Sequence, residues 1–111
     1  MKRKRDQLYL THIRESIEKI ESYTAEGREA FVSDSKTQDA VIRNFEIIGE
    51  ATKRLSTDAK AQQPHIPWRE VAGFRDILIH DYEGVDCLEV WNIVENHLPQ
   101  LHQAVASLLK S

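Results

Sequence analysis

The segment Phe74-Arg75-Asp76-Ile77-Leu78-Ile79-His80-Asp81-Tyr82 holds the side chains with the most chemistry in the chain. It sets a permanent cation, two carboxylates, an imidazole and a phenol in otherwise apolar sequence. Arginine grips phosphate oxygens through a planar fork of donors. An imidazole titrates near pH ~6.5, so close to neutrality a useful fraction is free base and can take a proton. On a helix advancing about 100° per residue, Arg75 and Tyr82 share a face. Asp76 and His80 are four apart and also face alike, which places Asp76 to orient the imidazole. Arg75 and His80 are about 140° apart on the same wheel. Either the long arginine reaches round, or a second copy of the chain completes the site. The set suits a phosphodiester.

The elements that must position these residues read as helices. Leu10, Ile13, Ile17 and Ile20 recur at helical spacing and predict a helix over 6–24, with Asp6 at its start. Ser33-Asp34-Ser35 reads as a helix entrance, with Ser35 and Gln38 as a capping box. The helix it opens runs to about Leu55 with a core stripe of Val41, Phe45, Ile48, Thr52 and Leu55. Gly49 inside it costs about 1 kcal/mol against Ala and would let another helix or a ligand come close. A short helical turn is expected over 57–63. Pro67 suits the first position of a helix that carries Val71, Phe74 and Leu78 toward the core and runs through the chemical segment to a stop at Gly84. Asp86 with Glu89 caps a last helix, whose stripe is Leu88, Trp91, Leu98, Leu101, Val105 and Leu108. Pro99 should kink or break it. No stretch alternates long enough for a strand. The expected architecture is all-α, an up-and-down bundle of four main helices joined by short loops.

Arg75, His80 and Tyr82 form R-x4-H-x-Y, which resembles the motif of the HepT-like ribonuclease toxins, a branch of the HEPN superfamily. Similar blocks flank it in register: Arg5 to Leu10, Ala40 to Ala51, Ile66 to Glu70, and Val85-Asp86 through Trp91 to Leu98-Pro99. The chain departs from the family pattern where Asp76, rather than the more usual Asn, follows the arginine. The resemblance implies a HEPN-like domain over 1–111 and metal-independent cleavage of RNA without a cofactor. It implies His80 as the base on a ribose 2′-hydroxyl, Arg75 on the phosphate, and Asp76 and Tyr82 in support. It also implies a homodimer with two motif helices at the interface. The toxin would be paired with a nucleotidyltransferase antitoxin of the MntA type that adds AMP to Tyr82. A different class of function stays open: a non-catalytic subunit that binds a substrate or nucleotide for such a transferase.

Bulk properties narrow the partners. A length of 111 residues argues for one domain able to bury a core. Net charge is −3, and Lys2 to Arg5 contribute +4 of it, leaving −7 for the remainder. A broad basic surface for nucleic acid is therefore absent, and an RNA contact must be a local pocket or groove. The apolar runs are too short to span a membrane, and no signal peptide follows the basic start. A lone Cys87 fits a reducing cytoplasm. His12, His65, His97 and His102 lack paired ligand spacing, so no metal site is expected. Glu46 and Glu50 lie four apart on one helix and repel unless Arg43, Lys53 or Arg54 pairs with them. Trp68 and Trp91 read as core or interface residues.

Overall fold

A computed structural model describes residues 2–74 and 86–110, and all the regular structure among them is helical. The elements are α1 (Lys2–Tyr23), α2 (Arg28–Val32), α3 (Ser35–Lys53), α4 (Thr57–Ala61), α5 (Trp68–Ala72), α6 (Cys87–Asn96) and α7 (Leu98–Lys110). The chain is all-α. Helices α1 and α3 form the central pair; α7 packs on α1, α5 on α3, and α6 on α7.

The core follows the predicted stripes. Leu10, Ile13, Ile17 and Ile20 of α1 meet Val41, Phe45, Ile48 and Thr52 of α3, and all are buried. The α1–α3 pairing is also pinned by a polar contact that corrects the expected role of Asp6. That residue lies inside α1, and its carboxylate accepts from the Ser56 amide at 2.8 Å and the Ser56 hydroxyl at 2.6 Å. The same hydroxyl accepts from the Ala59 amide at 3.1 Å and so caps α4. Because the start of α1 meets the residue just past α3, the two helices are antiparallel. His102 near the start of α7 lies 3.1 Å from Glu21 near the end of α1, so α7 also runs back along α1.

The entrance to α3 differs from the expected capping box. The cap is Asp34, whose carboxylate accepts from the Lys36 amide at 3.1 Å and the Thr37 hydroxyl at 2.8 Å. Gln38 instead donates to the Phe31 and Val32 carbonyls, at 3.0 and 2.8 Å. Those carbonyls end α2 and have no intrahelical partner, so the amide finds its acceptors there.

Pro67 is the N-cap of α5 rather than its first helical residue. The helix expected to run from it through the chemical segment is interrupted. It ends at Ala72, and the Gly73 amide bonds back to Arg69 and Glu70 at 3.2 and 3.1 Å. The segment's expected core residue Leu78 lies outside the described residues. Trp68 is buried as a structural anchor, its indole N–H shared between the Lys60 and Gln63 carbonyls at 3.1 and 3.0 Å.

The last stripe is broken as Pro99 requires. Helix α6 stops before His97, and Pro99 sits in the first turn of α7, where an amide would have no partner. Leu98, Leu101, Val105 and Leu108 are buried as expected, but Leu88 is 60% exposed and Trp91 is half-buried against Phe31. Val90 and Ile93 take the core positions of α6.

Candidate functional site

Arg75, Asp76, His80 and Tyr82 lie outside the described residues, and so does Asp81. The elements that hold the two ends of their segment are described. Upstream, α5 lies directly on α3. A Cβ added at Gly49 would stand 3.1 Å from the Ala72 carbonyl oxygen and 3.5 Å from that of Val71. Gly49 therefore admits a helix, as its lack of a side chain allows. Past Gly73, Phe74 is buried and sets its ring edge-on to Phe45, with centroids 5.3 Å apart. The residue bonded to Arg75 is thus fixed to the middle of α3. Downstream, Asp86 accepts from the Leu88 and Glu89 amides at 3.0 and 3.2 Å and starts α6. The Asp86–Glu89 cap works through the aspartate and backbone amides.

A polar groove of about 360 Å³ lies between α1 and α3. Tyr9 and His12 line it from α1, and Arg43, Glu46, Glu50 and Arg54 line it from α3. Tyr9 is half-buried and meets the exposed His12 edge to face, at 6.1 Å between centroids. Glu50 is held by Lys53 at 3.2 Å. Of the cations expected to neutralise the two glutamates, Lys53 pairs with Glu50. Glu46 sits next to Phe45, so groove and chemical segment are tied to adjacent positions of α3. Sequence reasoning singled out the α3 residues of this groove but missed Tyr9 and His12. Their spacing, three apart on the polar side of α1, was the available signal.

The remaining candidates are structural. His102 bridges α7 to Glu21, and His97 ends α6. His65 is exposed in the loop before α5. Among the described residues no three His, Cys, Asp or Glu side chains gather as a metal site. Burial and the adjacent Asp86 carboxylate raise the Cys87 thiol above its ordinary pKa, which makes it a poor nucleophile near neutrality. Among the described residues no helix is long and apolar enough to cross a membrane.

Comparison with known proteins decides the family. The family described as "Ribonuclease HepT-like" matches residues 13–108. The chain belongs to the HepT-like ribonuclease family. A Thermococcus cleftensis protein named "Probable ribonuclease HepT" is 50% identical over 103 residues, covering 92% of this chain and 94% of that protein. A Methanocaldococcus jannaschii protein named "Gamma-glutamylcyclotransferase and putative RNase" is 45% identical over 109 residues. That match takes 97% of this chain, which spans about half (49%) of the relative's length. No solved structure matches. The HepT-like match runs from the middle of α1 to the end of α7, and so contains the chemical segment, its two anchors and most of the groove.

Proposed function

We propose that this HepT-like chain is a metal-independent endoribonuclease, folded as one domain over 1–111 and acting as the toxin of a toxin–antitoxin pair. The observation that carries the reading is R-x4-H-x-Y at Arg75, His80 and Tyr82 within a chain of this ribonuclease family. His80 takes the proton from a ribose 2′-hydroxyl. That oxygen attacks the adjacent phosphorus, the 5′-oxygen of the next nucleotide leaves with a proton, and a cyclic phosphate and a 5′-hydroxyl result. Arg75 holds the phosphate oxygens as their charge grows. Asp76 orients the imidazole, and Tyr82 positions the phosphate by a hydrogen bond. DNA lacks the attacking hydroxyl and is not cut.

In this reading the chain acts as a homodimer, which lets Arg75 and His80 of different copies meet despite their separation on the helical wheel. A nucleotidyltransferase antitoxin silences it at Tyr82. The phenol oxygen attacks the α-phosphorus of ATP, pyrophosphate leaves, and the phenol proton goes to solvent. The attached AMP occupies Arg75 and repels RNA by charge.

The test is cleavage of labelled RNA by the purified protein in the presence of chelator. Wild type cleaves and leaves a cyclic phosphate. His80→Ala loses about 10²–10⁴-fold, the usual worth of a general base, and Arg75→Ala about 10²–10³-fold. Wild-type cleavage by His80→Ala, or a strict need for added metal, overturns the mechanism. RNA binding without any cleavage would make the chain a non-catalytic subunit instead.

A further inference from the structure

The α1–α3 groove has no part in the chemistry above, yet its residues are arranged for a ligand. Glu50 is already paired with Lys53 at 3.2 Å, while Arg43 and Arg54 make no side-chain ion pair or hydrogen bond among the described residues. Each guanidinium brings five N–H donors and a charge that does not titrate away. Both are exposed.

The spacing states what shape of ligand they fit. Arg54, the C-cap of α3, lies eleven residues after Arg43, about 16 Å along the axis and within about 20° of one face. No single phosphate spans that distance. Between them stand the two carboxylates, Glu46 and Glu50, and the aromatic pair of α1. Asp6 is level with Ser56, just past Arg54, and α1 runs antiparallel to α3. Tyr9 and His12, further along α1, therefore fall in the interval between the two arginines. The order along the groove is cation, aromatic and carboxylate, cation. A purely anionic ligand such as an acidic peptide would meet two carboxylates at its centre. A single nucleic-acid strand matches: phosphates at the ends, a base to stack on Tyr9, and base amino groups to donate to a carboxylate.

We propose that the α1–α3 groove is a track for the single-stranded RNA that flanks the cleaved bond, with Arg43 and Arg54 on separate phosphates and Tyr9 under a base. This rests on the ribonuclease reading above. The groove adjoins the α3 position that anchors the start of the segment it would serve. Phe45, the neighbour of Glu46 on α3, carries the ring that holds Phe74, and Arg75 is the next residue in the chain. Carboxylates that accept from base amino groups favour adenine and cytosine over uracil at the central position, because uracil has no exocyclic amine. The track also supplies what the net charge of the chain withholds, two fixed cations held on one line in an otherwise acidic protein.

The experiment measures fluorescence anisotropy of labelled single-stranded oligo(A) and oligo(U), titrated with protein at several salt concentrations. Binding is read on the His80→Ala background, and cleavage in parallel with His80 intact. The perturbation is Arg43→Ala with Arg54→Ala, and Lys19→Ala on the outer face of α1 is the control. The double variant should weaken oligo(A) binding at least about tenfold. It should also reduce the slope of log affinity against log salt by about 1.4, the loss of two single-strand phosphate contacts. A purely structural role would not move that slope. Oligo(U) should bind more weakly than oligo(A) to the parent protein. Unchanged affinity and slope in the double variant, with cleavage by wild type intact, overturn the track and leave the ribonuclease reading standing. Unchanged RNA binding with lost binding of the nucleotidyltransferase partner assigns the groove to that protein and overturns the track. Groove-dependent binding with no cleavage by wild type removes the nuclease chemistry alone. No RNA binding by either protein overturns both.

Discussion

Replacing Gly49 by alanine tests how the fold aims the segment that carries Arg75 and His80. In an ordinary helix interior the change stabilises by about 1 kcal/mol. Here the new methyl would stand 3.1 Å from the Ala72 carbonyl oxygen, 3.5 Å from the Val71 oxygen and 3.7 Å from the Ala72 carbonyl carbon. All three are backbone atoms, so no side chain can rotate away, and α5 as a whole must lift. Overpacking of this kind costs about 1–3 kcal/mol, which outweighs the gain in helix propensity and leaves a net loss of about 0–2 kcal/mol. A net loss of 1 kcal/mol lowers the melting temperature of a domain this size by about 4–8 °C. Because α5 connects through Gly73 and Phe74 to Arg75, the lift also displaces the segment, and RNA cleavage should fall about threefold to tenfold where the protein is still fully folded. Gly73→Ala is the control. Its Cβ would meet the Arg69 and Glu70 carbonyl oxygens at 3.6 and 3.7 Å, ordinary contact distances, and its φ is −96°. It should stay within about 0.5 kcal/mol of wild type, the usual effect of a change that breaks no contact. Thermal melting and urea titration of both variants, with initial cleavage rates, decide the matter. A Gly49→Ala protein stabilised by the full propensity gain and cleaving at the wild-type rate would refute the argument that α5 rests on this glycine.

Gly27→Ala should destabilise by about 1–3 kcal/mol in the same melts, although open space surrounds the position, because φ +100° with ψ 178° is backbone that a Cβ disfavours. Thr52→Val should be neutral or stabilise by about 1 kcal/mol, since the Thr52 hydroxyl is buried without a hydrogen-bond partner among the described residues and a methyl group fills the same space. The Thr37 hydroxyl and neighbouring amides lower the pKa of Asp34, so its capping contribution is full above the ordinary carboxylate range and fades as pH falls through the lowered value. Asp34→Asn keeps an N-cap that does not titrate, and its melting temperature should fall less steeply than wild type on acidification below about pH 4. Cys87 should react with a thiol reagent more slowly than free cysteine at neutral pH and gain rate as pH rises, checked by the absorbance of the released chromophore.

The helical stripes were legible because burial on one face of a helix leaves a periodic trace. Leu10, Ile13, Ile17 and Ile20, and then Val41, Phe45, Ile48 and Thr52, were all read from spacing and all lie in the core. The all-α class and the family followed from residue order alone. So did the likeness of R-x4-H-x-Y to a ribonuclease motif, since covalent spacing is a local property. The break at Pro99 was foreseen, but not that Val90 and Ile93 would take the core positions and leave Leu88 in solvent. Caps were misread by one residue, at Asp34 against Ser35 and at Pro67, because several neighbouring residues can cap and only the realised backbone selects one. Contacts across large sequence separations needed the tertiary structure. Asp6 reaching Ser56, Gly49 admitting α5, and Tyr9 and His12 facing Arg43 and Arg54 all join residues distant in the chain. Periodicity shows which face of a helix is buried. Which neighbour covers that face, and which polar residues two helices bring together at its edge, depends on the packing of the whole chain.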